Sequence, residues 1–430
     1  MKKFLTLLLS VVLAVGTLGI FSGCGKDDEF KVGLICLHGD SSTYDANFIN
    51  AFNAAVQAKG VKSVVKVDVP ESSACYDAAA DLVEQGCDLI FADSFGHEDY
   101  MIQAANEFRG VQFFHATGTK AHTEKLTNYH NAFASIYEGR YLAGIAAGMK
   151  LKAMNDAGQI AANQKDAQGN IKVGYVGAWT YAEVISGFTS WFLGVRSVMP
   201  NVVMDVQFTG SWYDETAEKA AAELLISRGC ALISQHADSM GAPTACETAG
   251  VPNVSYNGST AAACPNTFII SSRINWQPYF ELIIDSVKAN KIVDLDWSNG
   301  IGSTWANGSV ALTEVGAAAA PGTADAINAA IEQFKAGTLK VYDTSKFTVT
   351  ITPPSGAEGD FGENTKATVD AQGHLTSYNA DVDTDAFYAG DTEVIKTVGG
   401  ISYFAESEFR SAPYFDIKIN GITYLNTKFE

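Results

Sequence analysis

The sequence is short of cysteine, of positive charge and of recognisable catalytic motifs. Seven cysteines in 430 residues are too few for a disulfide scaffold. No pair has CxxC spacing and no His-x-x-x-His pattern occurs, which argues against a zinc site. Lys+Arg number 29 against 48 Asp+Glu, a net charge of −19. That balance argues against nucleic acid as a partner, because phosphate backbones are held by clustered Lys and Arg. It equally weakens a polybasic membrane-surface role. There is no GxSxG elbow, no GxxxxGK[ST] loop, and no GxGxxG after the first strand. His97, His115, His122 and His130 crowd together without a nucleophile motif beside them. Binding rather than catalysis is therefore expected, with no catalytic residue, metal or cofactor assigned. Beyond the N-terminus no run of eighteen apolar residues lacks charge, so the rest of the chain is expected to be soluble.

The N-terminus reads as a processing signal. Met1-Lys2-Lys3 is a positive start, Phe4 to Ile20 is apolar, and Phe21-Ser22-Gly23-Cys24 places small residues just before a cysteine. The layout resembles a bacterial lipobox, which implies a signal peptide over 1–23, a lipidated Cys24 and a short tether over 24–29. An acidic globular protein would then hang from the outer face of the cell membrane, or on its periplasmic side. Outside the cytoplasm disulfides are permitted, and the pairing of the six remaining cysteines cannot be read from sequence. Cys36 and Cys230 adjoin apolar runs, which suits buried inert thiols.

Strands and helices alternate along the body. Lys31–Leu37 is a short continuous apolar run, the mark of a parallel strand covered on both faces. Thr43–Lys59 is a helix with Phe48, Phe52, Ala55 and Val56 on one stripe and Gly60 as its stop. Further strands are expected at Val64–Val69, Asp88–Ala92 and Val111–His115, with helices at Cys75–Gln85, Tyr100–Phe108 and Phe133–Leu151. After a polar break at 155–170 the rhythm restarts with strands at Lys172–Val176, Val202–Phe208 and Ala231–Gln235. Helices at Ala182–Met199, Thr216–Arg228 and Met240–Ala249 alternate with them. Two doubly wound α/β lobes with parallel sheets are the expected fold class. Residues 30–142 and 268–300 are assigned to the N-terminal lobe, and 143–267 and 301–344 to the C-terminal lobe. Residues 345–430, with alternation at Thr348–Thr352 and short pieces at Glu393–Val398, Ile401–Phe404 and Phe415–Leu425, read as a small β-rich extension. Its Asp381-Val-Asp-Thr-Asp385 run lacks the Gly and Glu that a calcium loop needs at its sixth and twelfth positions, here Ala386 and Thr392. A solvated acidic turn is the better reading.

Ligands of parallel α/β sheets sit outside the carboxyl ends of the strands. The expected tips carry Asp93 and Phe95, Trp179, Trp212, His236 and Asp238, Asn257, and Asn275 with Trp276. Four of the six tryptophans (Trp179, Trp212, Trp276, Trp305) fall at or after such tips. Rings with a few carboxylates and amides suit a flat heteroaromatic ligand, although a tryptophan at a strand end also packs under a loop.

The segment from His130 to Gly148, containing Glu138-Gly-Arg-Tyr-Leu-Ala-Gly-Ile-Ala-Ala-Gly148, resembles the EGxYLAGxxAG stretch of the basic membrane protein family. Those are substrate-binding lipoproteins of nucleoside and purine ABC importers. Val173-Gly-Tyr-Val-Gly177, the Gly187–Gly194 helix with Pro200, Gly210-Ser-Trp-Tyr-Asp214, and Gln235-His-Ala-Asp-Ser239 followed by Asn275-Trp276 resemble it too. The likeness covers roughly residues 30–345. It implies a type I periplasmic-binding fold, whose two lobes close on a purine base or nucleoside. It also implies ABC permease and ATPase subunits as partners, and the chain is expected to be a monomer. By the same resemblance Tyr44 stacks on the base, and Asp45 stands where the family has Asn. Trp179 and Trp212 line the second lobe, Asp238 accepts from a ring N–H or a ribose hydroxyl, and Asn257 and Asn275 supply edge contacts. His236 either holds Asp238 or touches ligand. The alternative function is a lipid-anchored sensor of the same fold, signalling to a membrane partner.

Overall fold

The computed structural model describes residues 29–298, 308–351, 366–382 and 391–427. The expected signal peptide over 1–23, Cys24, Trp305 and most of the acidic run at 381–385 lie outside the described residues.

The first lobe grows from five short strands: Lys31–Ile35 (β1), Lys62–Lys66 (β2), Leu89–Ala92 (β3), Gln112–Ala116 (β4) and Tyr129–Ala132 (β5). Helices Thr43–Lys59 (α1), Ser73–Glu84 (α2), Glu98–Glu107 (α3) and the single turn Ala121–Glu124 (α4) connect them. Side chains alternate across a strand. Val32, Leu34, Phe91 and Phe114 therefore pack with α1, whereas Ile35, Ile90 and Phe113 pack with α2 and α3 on the opposite face. Burial on both faces explains why the central strands β1 and β3 are almost wholly apolar. Helix α1 starts where the Ser42 hydroxyl accepts from the Asp45 N–H at 3.1 Å, and it ends where Gly60 takes a left-handed φ of 59°.

The second lobe repeats the scheme. It contains Ile136–Asp156 (α5), Ile171–Gly177 (β6), Ala182–Val198 (α6), Val202–Phe208 (β7), Glu215–Ser227 (α7), Ile233–Gln235 (β8), Gly241–Ala249 (α8), Asn253–Tyr256 (β9) and Phe268–Ile274 (β10). Helix Gln277–Lys288 (α9) and strand Asp296–Trp297 (β11) return to the first lobe, and Val310–Leu312 (β12) rejoins the second. The first sheet runs β11-β5-β4-β3-β1-β2, all parallel; the second runs β12-β10-β9-β8-β6-β7, parallel except for β12. A strand from the C-terminal extension, Ile422–Tyr424, is added to the second sheet parallel to β7. The chain thus crosses between the lobes after Ala132, after Ile274 and between Trp297 and Val310. The two-lobed α/β architecture expected from the sequence is present.

Glycine in the EGxYLAG stretch has a packing cause. A Cβ on Gly144 would lie 2.1 Å from the Trp191 carbonyl oxygen, and one on Gly194 would lie 2.1 Å from that of Tyr141. Helices α5 and α6 therefore cross backbone to backbone, which only glycine permits.

Three expectations need correction. The long helix begins at Ile136, not Phe133, because Tyr129–Ala132 forms a strand. Its polar residues hid it: buried Asn131 accepts from the Ala121 N–H at 2.7 Å, and a His130 ring nitrogen lies 3.0 Å from the Gln112 side-chain oxygen. Phe268–Ile274 pairs with β9 in the second sheet, so the return to the first lobe comes near residue 275 rather than 268. Of the expected strand Thr348–Thr352, the described part ends at Ile351, and in it only Val349 forms a β-bridge, an isolated one to Ile419. The extension otherwise forms a three-stranded sheet from Ala367–Val369, Leu375–Asp381 and Asp391–Glu393, and a hairpin from Ile395–Val398 and Ile401–Phe404.

Candidate functional site

A cavity of about 190 Å³ lies between the lobes, beyond the carboxyl ends of the strands. From the first lobe it is lined by Leu37 and His38 after β1, Tyr44 and Asp45 in the first turn of α1, Ser94 and Phe95 after β3, and Thr117 and Thr119 after β4. From the second lobe come Tyr181, Ala182 and Glu183 at the start of α6, Trp212 after β7, His236 and Asp238 after β8, and Tyr256 at the end of β9. Arg410, Ala412 and Pro413 of the extension complete the lining.

On the first-lobe side Tyr44 and Asp45 make their hydrogen bonds within the lobe. The Asp45 carboxylate accepts from the His38 N–H at 2.8 Å and from the Ser42 hydroxyl at 2.5 Å. The Tyr44 hydroxyl donates to the Asp93 carbonyl at 2.7 Å, while its ring lies against Phe48. Burial, then the nearby Asp93 carboxylate, pushes the Tyr44 phenol well above its usual range.

On the second-lobe side, Arg140 of α5 is fully buried, with its guanidinium 3.8 Å over the Tyr256 ring. It donates to the Gln235 carbonyl at 3.3 Å and also reaches the Tyr175 hydroxyl. One of its nitrogens lies 3.1 Å from His236 Nδ1. An arginine can only donate, so Nδ1 accepts and the Nε2–H donates to Glu183, 2.7 Å away. The imidazole is thereby fixed as one neutral tautomer, and burial lowers its pKa further. Asp238 differs: among the described residues its carboxyl receives one long bond, of 3.4 Å, from the Asn257 amide. Burial first, then the Asp45 carboxylate, holds its pKa well above the usual carboxyl range. Beneath it Glu218, raised to about 7 by burial, accepts from the Ser239 and Asp214 N–H groups. Two non-glycine residues near the cavity, Thr117 and Asn257, hold left-handed φ values of 62° and 64°, a conformation that costs energy and clusters at functional sites.

The lobes touch at the mouth. The Asp238 carbonyl accepts from the Thr43 N–H at 3.0 Å and its hydroxyl at 3.2 Å, and the rings of Phe95 and Tyr181 stack at 5.3 Å.

Of the residues singled out from sequence, Tyr44, Asp45, Phe95, Trp212, His236 and Asp238 line the cavity. The others do not. Asp93 is fully buried and accepts from the Leu37 N–H. The ring of Trp179 stacks against Tyr181, which itself lines the cavity. Asn257 supports Asp238 rather than facing ligand. Asn275 sits in the crossover, with its N–H on the Ser309 carbonyl. Trp276 is a core residue of the first lobe, stacked 4.6 Å from Phe48. Position at a strand tip locates a residue but does not say which way its side chain points. Sequence reasoning missed Tyr181, Glu183 and Tyr256, which sit at or just past the tips of β6 and β9 and so had a signal, and the extension residues, which had none. Cys36, Asp45 and Asp93 bring ligand-type atoms within 4.8 Å of one another. Asp45 is already engaged, and burial raises the Cys36 thiol well above its usual value, so this trio suits a hydrogen-bonded floor better than a metal.

A family model for PnrA-like substrate-binding proteins of ABC transporters, the Bmp family, matches residues 37–301. The chain belongs to this family. Its members are substrate-binding proteins rather than enzymes. Among relatives, the purine-binding protein of Brucella abortus is 30% identical over 295 residues, covering 67% of this chain and 76% of that protein. A Haloferax volcanii protein, named for glucose binding by an ABC transporter, is 32% identical over 46% of each chain. In fold, an ABC transporter solute-binding protein from Conexibacter woesei superposes with a TM-score of 0.58 at 18% identity, over 72% of this chain and 98% of its own. Among the described residues no helix is long and apolar enough to cross a membrane.

Proposed function

We propose that this family member is a lipid-anchored extracytoplasmic protein that captures a purine base or nucleoside between its lobes and delivers it to an ABC importer. The observation that carries the reading is the cleft itself: a small cavity bounded by the rings of Tyr44 and Trp212, with the Asp238 carboxyl held by one long bond. A flat ring gains from aromatic faces, and its N–H edge needs an acceptor in an otherwise apolar site. The name of the Brucella abortus relative agrees with a purine. The event is closure, not chemistry. A ligand touching both walls favours the form in which Thr43 reaches Asp238 and Phe95 meets Tyr181, and a permease then reads that closed surface.

The test is thermal unfolding of the soluble chain from Gly25 onward with purine bases, nucleosides, sugars and amino acids. A ligand that binds only the folded form at a hundredfold excess over its Kd adds about 2.7 kcal/mol. Purines are expected to raise the midpoint. A shift with sugars alone would replace the purine reading with the one the Haloferax volcanii name suggests. Anchoring has its own test: Cys24→Ala is expected to move the protein from the membrane to the soluble fraction.

A further inference from the structure

The C-terminal extension lies outside the family match, which ends at residue 301, yet three of its residues line the cleft. We propose that the segment Glu406–Tyr414 is a third wall of the site and makes it selective for a free heteroaromatic base over the corresponding nucleoside. This rests on the purine reading above.

The wall is rigid. The Arg410 guanidinium donates to three carbonyls, those of Ala412 (3.1 Å), Val382 (3.2 Å) and Pro413 (2.9 Å), which fixes the turn that presents Ala412 and Pro413. The Ser411 N–H donates to Asp296 at 3.0 Å, tying the turn to the edge strand of the first lobe. The Tyr137 hydroxyl, at the start of α5, donates to the Glu406 carbonyl at 3.1 Å, tying it to the second. Just beyond the turn Phe415 stacks on Tyr342 at 4.3 Å, and the Tyr342 hydroxyl donates to the Ser186 carbonyl of α6.

What the wall offers a ligand is apolar surface and a guanidinium largely committed to its own backbone. The carboxylates on the cavity, Asp45, Glu183 and Asp238, all belong to the lobes. A flat ring edge is content against Ala412 and Pro413. Ribose hydroxyls buried there would lose water without finding an acceptor, and a site rejects such groups strongly. Volume points the same way: about 190 Å³ is less than the roughly 300 Å³ at which sites for larger ligands begin.

The test is calorimetric titration of the soluble chain with adenine, hypoxanthine and guanine, and with adenosine, inosine and guanosine. Two variants are compared with wild type: Ala412→Leu, which fills the cavity, and the double variant Arg410→Ala with Pro413→Gly, which loosens the wall. Wild type is expected to bind its preferred base at least tenfold more tightly than the matching nucleoside. Ala412→Leu should weaken base binding at least tenfold, and the loosened wall should shrink the base-to-nucleoside ratio at least tenfold. Either variant that melts cooperatively decides the matter. A wild type that binds base and nucleoside equally, or a folded variant with wild-type affinities, overturns the third wall while leaving the purine reading in place. Binding of no purine at all overturns both.

Discussion

Tyr44 and Asp45 on the first-lobe wall spend their polar atoms at home, on the Asp93 carbonyl, the His38 N–H and the Ser42 hydroxyl. Across the cavity Asp238 has one 3.4 Å bond to its carboxyl, while Arg140 and Glu183 lock His236 from behind. A hydrogen bond already made inside the lobe is not available to ligand, so under the proposed function the first lobe would contribute shape and the second recognition. Local sequence accounts for the contrast. Asp45 lies three residues from the Ser42 cap and answers it, as helix starts require. Asp238 follows a strand tip, where nothing local needs its carboxyl.

The contrast breaks most sharply by substitution of Asp238. Asp238→Ala is expected to lower ligand affinity by about 2–3 kcal/mol, roughly 30- to 150-fold, as for a lost hydrogen bond to a charged or strongly polar buried group. Calorimetry checks it, and an equal loss from Asp45→Asn would erase the difference between the walls. Tyr44→Phe comes next. It removes the bond to the Asp93 carbonyl and should cost about 1 kcal/mol of folding stability, with affinity nearly unchanged, since the ring remains. Denaturant unfolding and calorimetry together separate the two effects.

A third prediction concerns pH. The folded-state pKa of Glu218 is raised to about 7 by burial, above the usual glutamate value, so the folded form holds this proton more tightly than the unfolded chain. Its contribution to stability is full below about pH 4.5 and is lost as pH rises towards 7. The melting temperature of wild type should therefore fall relative to that of Glu218→Gln across this window. A difference that stays flat with pH would show that burial under Asp238 does not perturb this group. The smallest effect is expected from reductant. Cys36, Cys75, Cys87, Cys230, Cys246 and Cys264 are all buried free thiols, so dithiothreitol should leave the melting temperature unchanged.

Much of the fold was legible because burial on both faces of a parallel sheet writes itself as apolar runs, as in β1 and β3, and burial on one face as alternation, as in β7. What hid was polar and buried. Strand β5 contains His130 and Asn131, whose partners lie elsewhere in the chain. In β10 an apolar start gives way to Ser271-Ser272-Arg273. For the cleft, strand tips pointed to Phe95, Trp212, His236 and Asp238, but not to the inward turn of Trp276 or the role of Asn257. Arg410, Ala412 and Pro413 were beyond reach: a wall supplied by the C-terminal extension, far along the chain from the last strand tip at Asn275 and Trp276, leaves no local periodicity to read.

The most direct measurement is calorimetric titration of wild type and Asp238→Ala, as soluble chains at neutral pH, with purine bases. Saturable one-to-one binding to wild type, with the negative heat-capacity change of apolar burial, and its loss in the variant, is the predicted result. Binding of sugars but not purines, or a variant that binds as tightly as wild type, would contradict a purine site recognised from the second lobe.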